Sequence, residues 1–574
     1  MRYETLRKSA FFNTYGPGAI YETVNGKTVV IKKFIADTEI LLKDKFLNSF
    51  IRNYVGKGKI EGESAVFLIK DYDENGEPAF SVEARPFFEW FIGRKKDGQD
   101  PTIYLFHKRK KNDYEMLSTV RFIGICKNGH MQDLDWNKIV HRGKRCGNKD
   151  VFVWSEKKGD VFGGLEIRCP VCGKVAGLKE IYNTSQSCRG ILAHTHNNEE
   201  EGCDKNISVT LKTASDVYLP ESLIFISAHP FASPKYRIFI EKEKLLGAVS
   251  ALKEVRDSLT KEQIVKVIRN HISEEELNIL FGIELEGGGF VDQIFQIVEE
   301  VETYLSKHED VTEEGVKRLE FQTFRKACDE GYPAIRDDSG DFYLKIDKNK
   351  RKDYKGFIIQ PVEKLTFYRV FIGYRRTSPD PSVARLIPVY DFRNGKYYFA
   401  GIKNVTEGIF ITLTDSILED LRRHYLPEEI FAFIHTLSHG IIKYFSQISG
   451  YSEASLRERI YFFGEDSRVS TGILVFALSE GGDGAAGGLT SSVLRDANVE
   501  AMFNYVIDSA VFCSRDPVCW DSTEDFGSSN WKQRIFNRNE AVCHSCLLVS
   551  ETSCEYANKG LSRKKLKEII EKLI

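Results

Sequence analysis

The sequence lacks any long apolar run. No stretch of the 574 residues approaches the roughly 20 apolar residues that a membrane-spanning helix requires. The first residues, Met1 to Thr5, also lack the apolar stretch of a signal peptide. We therefore expect a cytoplasmic protein without membrane association, in which the 12 cysteines stay reduced instead of forming disulfides.

An excess of one charge sign is also missing. The formal net charge is −2, so the chain is not a polycation and any nucleic-acid binding must come from local basic patches. Hydrophobic residues make up 42% and charged residues 29%, which is ordinary for a globular protein. The length of 574 residues predicts several domains.

Two enzyme motifs are absent. The sequence has no G-x-x-x-x-G-K-[ST] loop, so it gives no sign of a Walker-type ATPase. It has no G-x-S-x-G nucleophile elbow either. These absences leave open an enzyme with an unfamiliar site.

The cysteines concentrate in two parts of the chain, and the C-terminal set has the clearest pattern. Cys543 and Cys546 form a Cys-x-x-Cys knuckle, which places two sulfurs on one tight turn at a spacing that suits tetrahedral zinc. Cys519 and Cys554 would complete the shell, and Cys513 is an alternative to Cys519. Four thiolates leave no open position, so the pattern predicts a structural ion. Reduced buried cysteines are the alternative interpretation.

The earlier cysteines predict two further sites. The first has the spacing of a zinc ribbon or treble clef and comprises Cys169, Cys172, Cys188 and Cys203. The second would be a Cys2His2 site and comprises Cys126, His130, His141 and Cys146. For the second set, histidines that pack or cap loops are the alternative. The sequence thus predicts one to three structural Zn²⁺ sites.

A glycine-rich segment follows a predicted strand and precedes a predicted helix. Residues Gly482 to Gly487 match G-x-G-x-x-G, but Asp508, the acid at the expected distance, falls inside a helical pattern. We therefore interpret Gly484 and Gly487 as a backbone cradle for a phosphate at a helix N-terminus. Close packing between the strand and the helix is the alternative.

Two histidines lie four residues apart in an apolar helical pattern. His435 and His439 have the spacing of a zincin helix, but the glutamate that acts as general base there is missing. The pattern favours two histidines in a core or an interface.

Three basic stretches are candidate nucleic-acid contacts, at residues 107–111, 345–355 and 563–567. Tyr343 and Tyr354 lie near the second stretch, and cations beside aromatic rings suit single-stranded nucleic acid. A run of charges is more often simply solvated surface. The predicted contacts are Lys108, Arg109, Lys110, Lys348, Arg351, Lys352, Arg563 and Lys564.

The expected fold class is α+β and multidomain, with small zinc-binding modules attached to mixed α/β and helical regions. An Asn-Gly hairpin over Tyr21 to Ile31 indicates strands near the start, and capping boxes at Thr260 and Ser273 indicate helices later. The five predicted regions are 1–120 (mostly β), 121–230 (cysteine-rich zinc module), 231–340 (helical), 341–510 (mixed α/β with the Gly-rich loop) and 511–574 (four-cysteine zinc module).

The C-terminal segment, residues 541–558, resembles the C-terminal domain of unknown function of the DrmB proteins of DISARM phage-defence systems. A related four-cysteine domain ends the MrfA-type DNA-repair helicases. The pattern is also similar elsewhere, so the resemblance touches the whole chain. The matching residues are Tyr15 to Ile20, Arg121-Phe122 running into Cys126, Gly129-His130, Trp136, His141 and Gly487-Gly488-Leu489.

The resemblance implies a partner and a role. The partner would be a DrmA-like superfamily 2 helicase that supplies ATP hydrolysis, and the joint role would be to sense or restrict phage DNA. We therefore expect a non-catalytic, zinc-binding subunit that binds DNA together with the helicase. A single-stranded end is one form of DNA that the two proteins could bind.

Two other functions stay open from the residues. One is a metal-dependent nuclease that uses His435, His439 or Asp483. The other is a pure scaffold, whose zinc modules act only as protein-binding surfaces.

Overall fold

The structure of the chain is a computed structural model. The residues that it describes are 8–24, 26–36, 40–42, 45–55, 63–69, 80–96, 100–156, 164–195, 197–228, 236, 238–239, 242–281, 290–306, 312–336, 342–378, 383–465, 468–478, 488–525 and 538–574. The predicted Gly-rich loop, with Asp483, Gly484 and Gly487, lies outside these residues. Among the described helices, none combines the length and the apolar character that a membrane crossing needs.

The longest strands lie in the second half of the chain. In chain order they are β1 Ile20–Glu22, β2 Thr28–Ala36, β3 Ile40–Leu42, β4 Glu63–Leu68, β5 Phe80–Arg85, β6 Trp90–Lys95, β7 Ile103–His107, β8 Tyr114–Thr119, β9 Phe122–Ile125, β10 Met131–Gln132, β11 Val151–Glu156, β12 Leu165–Arg168, β13 Val175–Ala176, β14 Ser208–Leu211, β15 Leu219–Ile226, β16 Tyr332–Arg336, β17 Phe342–Ile346, β18 Lys352–Tyr354, β19 Phe357–Arg375, β20 Ile387–Pro388, β21 Asp391–Arg393, β22 Lys396–Leu413, β23 Leu456–Glu465, β24 Arg468–Ala477, β25 Thr523–Asp525 and β26 Arg538–Glu540.

The longer helices lie in the second half of the chain. In chain order the α-helices are α1 Lys8–Asn13, α2 Lys45–Val55, α3 Trp136–His141, α4 Leu178–Asn183, α5 Glu243–Ser250, α6 Lys261–Arg269, α7 Glu274–Phe281, α8 Phe290–Ser306, α9 Glu313–Glu330, α10 Asp415–His424, α11 Pro427–Ile448, α12 Gly488–Ser491, α13 Asp496–Val511 and α14 Arg563–Leu573.

The chain divides into two compact units. The first consists of Met1–Leu223 and Arg369–Ile402, and the second of Ile224–Tyr368 and Lys403–Ile574. Helices and several antiparallel sheets together confirm the predicted α+β, multidomain class. The five-region division is finer than these two units and stays a prediction.

The first unit consists mainly of antiparallel sheets. A six-stranded sheet has the order β13-β12-β11-β7-β6-β8, and two three-stranded sheets have the orders β1-β2-β5 and β10-β9-β14. The predicted hairpin corresponds to β1 and β2, with Glu22 opposite Thr28, although Asn25 lies outside the described residues. A core of aromatic and aliphatic side chains, including Trp136 and Phe152, surrounds the buried Cys169.

A twelve-stranded sheet has the main order β16-β17-β19-β22-β24-β23, and its part in the second unit has helices on both faces. Successive side chains of a strand point to opposite faces, and the residues follow this alternation. Ile409 and Ile411 of β22 share a core with α11, α13 and α14. Phe410, between them, belongs to the opposite core, where it stacks on Phe324 of α9 at a centroid distance of 5.1 Å.

Helix α11 is the central element of this unit and is buried over most of its length. Its start follows from local chemistry, because Pro427 occupies the first turn and Glu429 accepts a hydrogen bond from the Leu426 N–H at 2.9 Å. Gly440 allows α13 to pack closely, since a Cβ there would lie 3.1 Å from Val506. The helix therefore holds its polar side chains, including His435, in a dry interior.

A buried ion network joins α9, β23 and the C-terminal segment. Arg459 makes two hydrogen bonds of 2.9 Å to Glu320, whose side chain is 0% exposed. Arg459 also lies 3.1 Å from Glu555, which Lys317 approaches at 2.9 Å. Tyr461 donates a further hydrogen bond to Glu320 at 3.1 Å. Because each charge is paired inside the protein, removing one member should be costly.

We expect Glu320→Ala to lower the free energy of unfolding by about 3 kcal/mol, because it leaves the buried Arg459 guanidinium without its bidentate partner. Urea unfolding of the full chain measures this loss. The matched control is Glu314→Ala on the same helix, whose pair with Arg318 is exposed and whose loss should cost below about 0.5 kcal/mol. Equal losses in the two variants would contradict a structural role for the network.

Candidate metal centres

The described residues include four groups of side chains that can hold a metal ion. Within each group the ligand atoms lie within 4.8 Å of one another. We name them the Cys126 cluster (Cys126, His130, Cys188, Cys203), the Cys169 cluster (His141, Cys146, Cys169, Cys172), the Cys543 cluster (Cys513, Cys519, Cys543, Cys546) and the His435 cluster (His435, His439, Glu458, Cys554). All twelve ligands predicted from the sequence fall in these groups, but their partners differ from the predicted ones.

The Cys126 cluster lies where a tight turn joins β9 to β10. The Cys126 sulfur is 3.3 Å from His130 Nδ1 and 3.5 Å from the Cys188 sulfur. On its other side, His130 Nε2 lies 2.7 Å from a carboxylate oxygen of Glu201. A carboxylate there holds the proton on Nε2 and leaves Nδ1 free to bind a metal. Gly190 is required beside this site, because a Cβ would lie 1.6 Å from the Glu201 carbonyl oxygen.

The electrostatics of this cluster favour a metal-binding thiolate. The pKa of Cys126 is lowered to about 4, mainly by the hydrogen bond from Cys188 and to a smaller extent by the hydrogen bond with His130. Burial opposes this shift. Burial also disfavours a charged His130, but Cys126 and Glu201 outweigh it and raise the pKa of His130 to about 9. Since the thiolate is the form that binds metals, Cys126 is prepared as a ligand.

The Cys169 cluster joins the end of α3 to the turn between β12 and β13. The sulfurs of Cys146 and Cys169 are 3.9 Å apart. His141 Nδ1 lies 2.6 Å from the side-chain oxygen of Asn137, whereas its Nε2 is buried with no hydrogen-bond partner. A metal ion would satisfy this orphaned nitrogen. Burial raises the pKa of Cys169, but hydrogen bonds from Asn148 and backbone N–H groups outweigh it and lower the pKa to about 6.

These two clusters are nested along the chain, and this corrects the predicted grouping. The sequence grouped Cys188 and Cys203 with the Cys169 knuckle, but both lie in the Cys126 cluster. Strand pairing is the reason. Ile125 of β9 lies opposite Ser208 of β14, which brings the chain after Cys203 back to Cys126. The Cys169 cluster then forms from residues that lie between His130 and Cys188 along the chain.

The Cys543 cluster contains both Cys513 and Cys519. The sequence analysis treated these two cysteines as alternatives. The sulfurs of Cys513 and Cys543 are 3.6 Å apart, and those of Cys519 and Cys546 are 3.9 Å apart. The Cys543 N–H donates to the Cys546 sulfur at 3.2 Å. Cys554, predicted as the fourth ligand here, lies instead in the His435 cluster.

The spacing of these sulfurs fits zinc. A Zn–S bond of about 2.3 Å places two tetrahedral sulfur ligands about 3.8 Å apart. Sulfur–sulfur separations of 3.6, 3.8 and 3.9 Å within the Cys543 cluster lie around this value. Burial raises the pKa of Cys543, but the thiols of Cys519 and Cys513 outweigh it and lower the pKa to about 7. The residues present therefore suit a closed, four-thiolate zinc site.

Arg563 supplies a buried positive charge beside this cluster. Its side chain is 0% exposed, with Nη2 2.5 Å from Asp516 and with Nε and Nη1 lacking a hydrogen-bond partner. Burial opposes its charge, but Asp516, Cys519 and Cys546 outweigh it and raise the pKa of Arg563. Because the guanidinium is enclosed, it does not suit the phosphate contact that the sequence predicted.

His435 and His439 are both fully buried in α11, where the sequence favoured core histidines. They lie with Glu458 of β23 and with Cys554. The sequence pattern did not single out Glu458, because an acid within a strand usually faces solvent. This enclosed position gives a substrate no route to the two histidines in the described structure.

The predicted basic contacts of the first unit form an exposed turn. Lys108 and Arg109 are exposed, with 55% and 71% of their side chains accessible, whereas Lys110 is half-buried. Lys108 lies 2.6 Å from Glu89, and Arg109 lies 3.8 Å from Asp150. Arg109 is therefore the more available cation of the turn.

The predicted basic contacts of the second unit differ in availability. Lys348 is exposed. Arg351 lies 2.8 Å from Asp353, and Lys352 lies 2.9 Å from Asp496. Lys564 is half-buried and 3.6 Å from Glu540, and it also lies 5.7 Å from the centre of the Trp520 ring.

The chain is similar in sequence to known proteins. A family model described as a domain of unknown function, DUF8724, matches residues 7–219, a range that contains the Cys126 and Cys169 clusters. The chain is 24% identical over 500 residues to the DISARM protein DrmB of Bacillus paralicheniformis, which covers 79% of this chain and 81% of that protein. This similarity confirms the resemblance to DrmB inferred from the sequence motifs.

One solved structure is also similar, the crystal structure of the DUF1998 helicase MrfA bound to DNA. The match has a TM-score of 0.23 and 11% identity and covers 40% of this chain. The chain spans only 24% of the helicase. With so low a TM-score, the match supports no conclusion about the fold or the function of this chain.

We expect the purified chain to lose about one zinc ion per molecule in Cys513→Ser, because a four-ligand site binds weakly with three ligands. Metal analysis by mass spectrometry measures this loss. The control is Cys328→Ser, since Cys328 is buried but belongs to none of the four groups, and its zinc content should not change. Full zinc content in Cys513→Ser would exclude Cys513 as a ligand.

Proposed function

We propose that the chain is a zinc-binding subunit of a bacterial anti-phage defence complex of the DISARM type, which acts in the cytoplasm with a superfamily 2 helicase on phage DNA. The observation that carries this proposal is the similarity to DrmB, which extends over 79% of this chain and 81% of that protein. A shared domain alone would not extend so far. In this proposal the helicase supplies ATP hydrolysis.

The zinc centres in this proposal shape binding loops and perform no chemistry. Each of the clusters built from Cys and His offers four protein ligands, and a shell of four protein ligands leaves no position for a substrate. The ion would then fix the loop that carries its ligands. The loops should therefore be stiff enough to present side chains to a partner.

The loop of the Cys543 cluster presents a surface that suits single-stranded DNA. Phe512, directly before Cys513, is 70% exposed. Trp520, directly after Cys519, has Lys564 and Lys567 within 5.7 Å of its ring centre. Aromatic faces that stack on bases, beside cations that contact phosphates, are the usual elements of such a surface.

We expect Lys564→Gln combined with Lys567→Gln to weaken binding of single-stranded DNA by the assembled complex with the helicase. The slope of log affinity against log salt should become shallower by about 0.7 for each phosphate contact that the substitutions remove. Fluorescence anisotropy in a potassium chloride series measures the slope.

The matched control for this variant removes two exposed cations of α9, by Arg318→Gln with Lys326→Gln. It should leave the slope unchanged. The same slope in wild type and in the Lys564/Lys567 variant would exclude these lysines as DNA contacts.

A second candidate function, a protein-binding scaffold, is favoured by one observation. Three exposed apolar side chains lie beside cysteines of the Cys543 cluster along the chain. Exposed apolar patches often mark protein interfaces. The three side chains are Val511, Phe512 and Val518, with 46%, 70% and 69% of their surface accessible. The helicase is the partner that this surface would bind.

Phe512→Ser with Val518→Ser tests the scaffold, because only that function requires these two side chains to bind the helicase. If the patch binds the helicase, we expect at least about a tenfold loss of affinity, since buried apolar anchors dominate interfaces. Co-purification and calorimetric titration with the helicase measure it. Val255→Ser with Leu494→Ser, at two other exposed positions, is the control. Unchanged helicase affinity in the Phe512/Val518 variant would contradict the scaffold.

A further inference from the structure

The His435 cluster brings together side chains from three separate elements of the second unit. His435 and His439 lie one turn apart on α11, and Glu458 lies on β23. Cys554 comes from a turn eight residues beyond the terminal knuckle residue Cys546. All four side chains are buried, three of them at 0% exposure and Cys554 at 4%.

The distances between their ligand atoms, from 3.0 to 3.6 Å, lie within about 0.4 Å of the edges of a tetrahedron around a metal. His435 Nε2 lies 3.1 Å from His439 Nε2, 3.0 Å from a carboxylate oxygen of Glu458 and 3.2 Å from the Cys554 sulfur. The same Glu458 oxygen is 3.6 Å from His439 Nε2. Zinc bonds of about 2.0 Å to N or O and about 2.3 Å to S give edges of about 3.3 to 3.6 Å.

The surrounding hydrogen bonds orient these atoms toward one point. His439 Nδ1 donates to the Leu547 carbonyl oxygen at 2.8 Å, so its Nε2 carries a lone pair that faces the cluster. Ser438 donates to the other oxygen of Glu458, and the Glu555 N–H donates to the oxygen that faces the cluster, at 3.1 Å. Outer partners of this kind are usual for metal-binding His and carboxylate groups.

The turn at Cys554 resembles the turns of the other cluster cysteines. Its sulfur accepts hydrogen bonds from the backbone N–H groups of Tyr556 at 3.3 Å and Asn558 at 3.2 Å. The N–H two residues onward also donates to the sulfur at Cys188, over 3.3 Å, and at Cys513, over 3.5 Å. These backbone donors favour a thiolate, whereas burial, followed by the charge of Glu458, raises the pKa of the Cys554 thiol.

Hydrogen bonds also reach this group from outside it. The backbone N–H of Glu555 donates to the cluster oxygen of Glu458 at 3.1 Å, in addition to the two N–H groups that donate to the Cys554 sulfur. His435 Nε2 carries at most one proton, so it can donate to only one of its three neighbours in the group. A divalent cation would bind all four atoms at once.

We propose that His435, His439, Glu458 and Cys554 form a fourth metal centre, a closed structural zinc site that fastens the C-terminal segment to helix α11 and strand β23. With one thiolate and one carboxylate, a Zn²⁺ ion makes the centre neutral, which suits its complete burial. The adjacent residue, Glu555, belongs to the buried ion network with Arg459. The ion and the network therefore hold consecutive residues of the same segment. This assignment does not depend on the proposed function.

Zinc content of the full-length chain tests the assignment. Cys554→Ser and His439→Gln should each lose about one ion per molecule, and the double variant should lose the same single ion. Cys513→Ser combined with Cys554→Ser should lose two, because the cysteines serve different centres. Cys328→Ser is the control. Unchanged zinc in Cys554→Ser, or loss of a single ion in the Cys513/Cys554 variant, would overturn the proposal.

Cadmium-113 NMR of the cadmium-loaded wild-type chain gives a readout that needs no variant to fold. Thiolate ligands move the cadmium resonance downfield, so a site with one sulfur should resonate well upfield of the thiolate-rich sites. The proposal requires four resonances, with one in the upfield position. Three thiolate-rich resonances without the upfield one would overturn it.

Discussion

The convergence of sulfur and nitrogen ligands is the constraint on which the loops of both units depend. In the first unit, the segments that carry these ligands contain very short regular elements, such as β10 and β13 with two residues each. Elements of this size bury too little apolar surface to offset the entropy of ordering their loops. A metal ion bound through four side chains would add its binding free energy to folding, because the unfolded chain has no preformed site. The turns at Cys126 and Cys169 would therefore hold their shape through a bound ion more than through their strands.

Local patterns in the sequence predicted well what depends on neighbouring residues. The Cys-x-x-Cys knuckles at Cys169 and Cys543, the capping box at Thr260 and the apolar helix around His435 all appear in the structure. Each depends on atoms within a few residues of one another, so spacing alone is informative. The α+β class followed from the same local signals.

The partners of the knuckles were not predictable in the same way. Cys188 joins Cys126 because β9 pairs with β14, and Cys554 joins α11 because the terminal segment packs across the helix. Both arrangements depend on tertiary contacts between residues far apart along the chain, which spacing does not encode. The sequence did not predict Glu458 as a site residue for a related reason. Its partners lie on helix α11, and only the tertiary structure shows that this helix packs against β23. Arg563, which was predicted as a contact, is buried, because a charge run indicates exposure only on average.

Charge balance would distinguish the two proposed zinc centres near the C-terminus, which differ in their ligands. Four thiolates around Zn²⁺ carry two negative charges, and the Cys543 cluster has the buried Arg563 guanidinium beside it. The His435 cluster lies deeper, where a net charge would cost several kcal/mol, and its two imidazoles replace two thiolates. A neutral centre needs no counter-ion, so the position between α11 and β23 can stay closed to water. The more exposed cluster can tolerate its charge, and beside it lie the apolar and basic side chains that are available to a partner.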